Sequence, residues 1–161
     1  MRGFGHFNFM RPYTHYEFKV TLLRESEPLS AVMDQPELVA QYWRDNIPKA
    51  DWYDPTKEAL VVLVLNTRKR IIGHNLVALG SLDTCPVTPL HIFRPVIALA
   101  GARIILVHQH PSGDATASEA DIKVTRDLIR AGQLLKIEVL DHVIIGSQSH
   151  TSLRAQGYFF Q

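Results

Sequence analysis

Two histidines and an aspartate are spaced as ligands of a divalent metal ion. His108 and His110 end a short apolar run, and Asp121 lies three residues after Ser118. Residues i and i+2 of a strand point to the same face, so the two imidazoles would lie side by side. Pro111 cannot continue a strand ladder, which places the pair at the carboxyl end of a strand. Two histidines and one carboxylate leave a fourth tetrahedral position for water, as in a catalytic zinc site.

Hydrolysis at such a site also needs a group that moves protons. Zinc brings a bound water towards neutrality, but a base must still take its proton and pass it to the leaving group. Glu58 is the best candidate because it directly precedes a buried apolar strand, where a charge is otherwise costly. Ser118, close to the ligands, could donate a hydrogen bond to the oxyanion of a tetrahedral intermediate.

Structural roles compete with these chemical ones. A glutamate that opens a strand is usually just solvated, so spacing alone does not single out Glu58. The pair Ser118 and Asp121 also has the spacing of a helix capping box. Thr116 and Glu119 compete for the same cap, and a cap at Thr116 would leave Ser118 and Asp121 available to the site. Asp114 follows a glycine and is expected to form a turn.

A longer pattern resembles a known family. The matching segments are His108-Gln-His-Pro-Ser-Gly-Asp114, Ser118-x-x-Asp121, Leu140-Asp-His-Val-Ile-Ile-Gly146, Ser152-Leu-Arg-Ala-Gln-Gly157 and the strand led by Glu58. Over residues 55–160 they resemble the RadC-type JAB domain of the JAMM/MPN+ metalloprotease superfamily. The resemblance implies that Zn²⁺ is bound by His108, His110 and Asp121. It also implies that Glu58 is the general acid/base and Ser118 the oxyanion donor in cleaving an amide or isopeptide bond.

The sequence departs from the family pattern at a few positions. Gln109 stands where these proteins usually carry asparagine, and Ala117 replaces the usual proline. Neither change removes a ligand, so both bear on substrate fit more than on metal binding. The helix-hairpin-helix segment of long RadC proteins, the family's most direct DNA-binding element, is not evident.

Composition limits the class of protein. The 161 residues are 46% hydrophobic and 20% charged, which is ordinary for a globular domain. With 17 Lys+Arg against 16 Asp+Glu, no global positive field favours nucleic acid. A single cysteine, Cys85, excludes an internal disulfide and indicates a reducing, cytoplasmic setting. The longest apolar run, Ala59 to Leu65, is too short to span a membrane.

Hydrophobic patterning predicts the elements that position the candidate site. The predicted strands cover residues 16–22, 59–66, 71–79, 103–108 and 137–145, and the second and third of them form a hairpin. The first predicted helix is capped by Asp34 and ended by Pro48, and the second runs from Thr88 to Leu99, where Pro95 should kink it or delay its start. The third runs from Ser118 to Ala131 and is ended by Gly132. The fold class is therefore α/β, with a mixed sheet flanked by helices. The resemblance adds a JAB/MPN, cytidine-deaminase-like three-layer arrangement. Residues 1–15 would form an N-terminal arm and residues 16–161 a single domain.

Three functions remain open at this point. The favoured one is a zinc hydrolase acting on a peptide or protein conjugate; the others are a nucleic-acid role linked to DNA repair and a binding module with an unused metal site. Exposed hairpin edges and the aromatic arm make a homodimer plausible. Asp141 and His142 could orient a ligand imidazole or form a local ion pair, and the sequence does not choose between these roles.

Overall fold

The computed structural model describes residues 31–80 and 87–159. The elements are α1 (Pro36–Asn46) with a 3₁₀ turn (Ile47–Lys49), β1 (Ala59–Leu65), β2 (Ile71–Leu79), α2 (Pro89–Ala98), β3 (Arg103–Gln109), α3 (Glu119–Leu135), β4 (Glu138–Ile145) and β5 (His150–Ser152). The N-terminal arm, the strand predicted over 16–22 and Cys85 lie outside the described residues.

A mixed sheet forms the centre of the domain. Within the described residues its strand order is β2-β1-β3-β4-β5. Strands β3 and β4 are parallel, whereas the β1–β2, β1–β3 and β4–β5 pairs are antiparallel. The predicted α/β class, with its hairpin of β1 and β2, is therefore confirmed.

Helices cover both faces of this sheet. Odd-numbered side chains of β1, such as Leu63, pack with Val39 and Trp43 of α1. Even-numbered ones, such as Val62, pack with residues of α2 and α3, including Phe93 and Leu128. This alternation explains why β1 reads as an unbroken apolar run, since a strand buried on both faces has no polar side. None of the helices in the described ranges is both long and apolar enough to cross a membrane.

The start of α1 differs from the sequence prediction. Gln35, not Asp34, is the N-cap residue, and its side chain makes no capping hydrogen bond. Pro36 opens the helix instead, because its fixed φ suits a first helical position. The spacing of Leu38, Val39 and Trp43 predicts one buried stripe along this helix, but Leu38 is 37% exposed.

The other helices also differ in detail. Pro95 lies inside α2 without delaying its start at Pro89, where the backbone N–H of Thr88 donates to His91 Nδ1. Helix α3 continues past Gly132 to Leu135 and ends at Lys136, which adopts the left-handed conformation. Patterning also missed β5, since three residues are too few to show a period.

Gly132 is needed for close packing and does not end the helix. A Cβ at this position would lie 2.5 Å from the carbonyl oxygen of Ile137 and 3.2 Å from Val139 Cγ2. We expect Gly132→Ala to lower the free energy of unfolding by about 1–3 kcal/mol through overpacking. The intrinsic helix gain of alanine, roughly 1 kcal/mol, would offset only part of this loss. Urea denaturation measures the change, with the exposed Gln133→Ala on the same helix as control. A Gly132→Ala protein as stable as wild type would contradict the assignment.

Candidate metal centre

Three elements bring the predicted site residues to one end of the sheet. In the β1–β3 register, Leu60 faces His108 and Ala59 faces Gln109. Glu58 directly precedes β1, so it lies at the end of the sheet where His110 leaves β3. Asp121 reaches the same place from the first turn of α3. The structure thus collects residues that are widely separated in the chain.

Asp121 is the most enclosed of these residues. Its Oδ1 lies 2.6 Å from His108 Nδ1, while Oδ2 accepts from the N–H (2.8 Å) and hydroxyl (2.6 Å) of Ser118. His110 Nε2 lies 3.5 Å from Oδ2. Burial acts to raise the pKa of Asp121, but hydrogen bonds from His108 and His110 outweigh it and hold that pKa below its usual value. The carboxylate is therefore ionised and held in one orientation.

His108 presents one ring nitrogen that makes no hydrogen bond within the described residues. Its Nδ1 donates to the ionised Asp121, so Nε2 is the nitrogen directed away from that carboxylate. Among the described residues, this buried Nε2 has no hydrogen-bond partner. It lies 3.7 Å from Glu58 Oε2. A histidine fixed by a carboxylate on one nitrogen and exposing the other is the usual arrangement of a metal ligand.

His110 is oriented in a comparable way by the loop that follows it. Its Nδ1 lies 2.9 Å from the carbonyl oxygen of Asp114 and donates to it, so Nε2 is the nitrogen that faces Asp121. The hydrogen bond to Asp121 raises the pKa of His110. Asp114 forms the predicted turn, since its Oδ1 accepts from the N–H and hydroxyl of Thr116.

Ser118 both caps the helix and contacts the ligand. Its Oγ accepts from the N–H of Asp121 at 3.1 Å and donates to Oδ2 of the same residue. Of the two competing caps, the structure has the one at Ser118, because Thr116 bonds to Asp114 instead. The single hydroxyl proton of Ser118 is directed to Asp121. The oxyanion role of Ser118 stays a prediction, and it requires that proton to turn towards substrate.

The cluster of described residues that could hold a metal ion includes His142 of β4, and the predicted ligand His110 lies outside this group. His108, Asp121 and His142 each offer a ligand atom, and these atoms lie within 4.8 Å of one another. Sequence reasoning left the role of His142 open. The β3–β4 register, in which Leu106 pairs with His142, could have placed it on the face of His108. The ion pair with Asp141 is wrong, because neighbouring strand residues point to opposite faces and His142 Nδ1 contacts Thr125 Oγ1 at 2.7 Å.

The donor set fits zinc. Imidazole nitrogens and carboxylate oxygens are common zinc ligands. The Nε2 of His108, buried and without a partner in the described part of the chain, is the kind of orphaned lone pair that a metal satisfies. Half-buried Glu58 stands beside it as the nearest carboxylate outside the predicted ligand set.

Comparison with known proteins identifies the class of domain. The family model described as "RadC-like JAB domain" matches residues 33–158, and the chain belongs to this family.

Relatives in the same family are named UPF0758 proteins. One from Chlorobium chlorochromatii is 36% identical over 157 residues, covering 98% of this chain and 68% of the relative. One from Caldanaerobacter subterraneus is 45% identical over 104 residues, covering 65% of this chain and 45% of the relative. A third, from Chlorobaculum tepidum, is 44% identical over 116 residues, covering 72% and 50%. The chain thus spans about half the length of most of these curated relatives.

Proposed function

We propose that this domain is a zinc-dependent hydrolase that cleaves an amide or isopeptide bond. One observation carries the proposal. An ionised, buried carboxylate, Asp121, contacts two imidazoles, and the Nε2 of His108, beside the carboxylate of Glu58, makes no hydrogen bond in the described part of the chain.

Three residues would hold the metal: His108 and His110 through Nε2, and Asp121 through its carboxylate. Zinc bound there would supply a Lewis acid that polarises a carbonyl and makes a water molecule more acidic. The protein residues fix the orientation of these ligands. Asp114 holds the His110 ring through Nδ1, and Ser118 holds the Asp121 carboxylate through two hydrogen bonds.

Glu58 would move the proton. Its side chain is 31% exposed, so it reaches both solvent and the buried His108 Nε2 at 3.7 Å. In this role Glu58 takes a proton from the attacking water and passes it to the nitrogen of the departing amine. Ser118 would donate to the oxyanion after turning from Asp121.

The proposed substrate class rests on the family. The RadC-like JAB domain resembles the JAMM/MPN+ metalloproteases, which supports a carbonyl bonded to nitrogen as the target. We therefore propose a peptide or protein conjugate as substrate and the cytoplasm as the setting. The loops around the site select the partner.

Metal analysis is the first test. We expect wild-type protein, purified without chelator, to contain about one zinc per chain by inductively coupled plasma mass spectrometry. His108→Ala should contain almost none while remaining folded by circular dichroism. Wild-type protein that binds no zinc, either as purified or after titration, would remove the basis of the proposal.

Glu58→Gln separates metal binding from proton transfer. We expect this variant to keep its zinc and to lose turnover by roughly 100- to 10,000-fold, because an amide cannot act as a base. Cleavage of a library of quenched peptides and isopeptide-linked lysine peptides provides the measurement. Glu138→Gln, which changes an exposed glutamate paired with Arg103, is the matched control. Full turnover by Glu58→Gln would reject Glu58 as the base.

A further inference from the structure

A second histidine lies behind the predicted ligands, at the centre of the sheet. His142 is fully buried in β4, on the face that packs against α3. Its ring stacks against that of His108, with centroids 6.4 Å apart and planes 25° from parallel. A ring in this position limits the movement of His108 towards the interior of the protein.

A directed chain of hydrogen bonds joins His142 to the backbone of Asp121. The hydroxyl of Thr125 donates to the carbonyl oxygen of Asp121 at 2.7 Å. That hydroxyl has one proton, so its contact with His142 must be donated by the Nδ1–H of the histidine. His142 thus fixes the hydroxyl rotamer of Thr125, and Thr125 holds the first turn of α3, which carries Asp121.

The same contacts favour a supporting role for His142 over a role as ligand. A catalytic metal keeps one position open to water or substrate. The side chains of His110 and Glu58 are partly exposed and can provide that access. His142 has no exposed surface, whereas a ligand set completed by His110 reaches the open side. The Nε2 of His142 is also buried without a hydrogen-bond partner in the described residues, and the variants below separate the two roles.

We propose that His142 and Thr125 are positioning residues for the metal site. Together they hold the His108 ring and the Asp121 carboxylate in the spacing that binds zinc, without contacting the metal. The inference rests on the proposed function, and it assigns a role to His142 of the Leu140-Asp-His-Val segment, which the proposed mechanism does not use.

Zinc affinity in four variants tests this inference. The dissociation constant is measured by competition with a chromophoric chelator, on protein shown to be folded by circular dichroism. We expect His142→Phe and Thr125→Val each to weaken zinc binding by roughly 10- to 100-fold, as for other groups that support a ligand. Thr125→Ser, which keeps the hydroxyl, should bind close to wild type. The double variant should bind no more weakly than the worse single variant, because both changes break the same chain.

Controls separate this role from general stability. Val143→Ala removes buried volume on the opposite face of β4, and it should lower the melting temperature without changing zinc affinity.

If Thr125→Val binds zinc like wild type, the positioning role is wrong, while loss of zinc in His108→Ala would leave the proposed function standing. If His142→Phe loses zinc as fully as His108→Ala while His110→Ala keeps it, His142 is a ligand and the inference is overturned. Wild-type protein without zinc affinity would overturn both proposals. Should His142→Phe not fold, the two Thr125 variants decide.

Discussion

Asp121→Asn should bind zinc more weakly than wild type by more than the roughly 10- to 100-fold typical of groups that only support a ligand. Asp121 is fully buried, and each of its oxygens accepts from a neighbouring donor. An asparagine has one oxygen and one NH₂ group. Whichever way the amide turns, the NH₂ group must face either the N–H of Ser118 or the Nδ1–H of His108, where two donors would meet.

The same change should also destabilise the protein without metal. A buried donor that loses its acceptor costs about 1–3 kcal/mol, and the amide leaves at least one such donor. Zinc competition and thermal denaturation with chelator present measure the two effects separately. Asp127→Asn, on an exposed part of α3, is the matched control because it removes only a surface ion pair with Arg130. An Asp121→Asn protein with wild-type zinc affinity would show that Asp121 neither binds nor orients the metal.

Asp141→Ala should strongly destabilise the protein from the other face of the sheet. The Asp141 carboxylate accepts from the hydroxyl of Ser152 and from the backbone N–H groups of His142 and Arg154. Removing it leaves three donors without this acceptor and breaks the side-chain hydrogen bonds that join β4 to the segment around β5. We expect a loss of about 3 kcal/mol or more in the free energy of unfolding, measured by urea denaturation. A loss below that of an ordinary surface substitution would contradict this account.

Asp141→Asn provides the informative comparison. Its oxygen can still accept from the two N–H groups, and its NH₂ group can donate to Ser152 Oγ, so this variant should lose less stability than Asp141→Ala. Burial raises the pKa of Asp141. For an acid, a raised pKa means that the folded protein holds the proton more tightly than the unfolded chain. The stability of wild type relative to Asp141→Asn should therefore rise as the pH falls from 7 towards the ordinary aspartate range. An opposite trend would show that the fold prefers the ionised carboxylate.

Much of this fold could be predicted from the sequence because the strong periodic signals are local. The runs over 59–65 and 104–107 are apolar throughout, and the hairpin joining 59–66 to 71–79 is marked by a polar turn. The limits of the helices were less predictable, because tertiary contacts decide them. Gly132 resembles a helix end, but the approach of Ile137 requires a glycine inside the helix.

The candidate site was partly predictable for the same reason. The spacing of His108, His110 and Asp121 identifies the cluster within one strand, loop and helix. The position of His142 depends on which residues of β4 stand beside β3, and no spacing within one segment encodes it. Whether Thr116 or Ser118 caps α3 depends on Asp114, because the hydroxyl of Thr116 donates to the Asp114 carboxylate and is not available to the helix.

The two halves of the candidate site have different origins in the chain. His108 and Asp121 are only 13 positions apart, within a contiguous strand–loop–helix unit. Glu58 comes from the hairpin instead, and its backbone carbonyl is tied to the N–H of Gly80 at the end of the edge strand. The proposed ligands themselves thus come from one short segment, supported by His142 from β4, whereas the placement of Glu58 depends on pairing across the hairpin. Substitutions in the hairpin that displace Glu58 would therefore abolish the proposed turnover without removing the residues proposed to bind the metal ion.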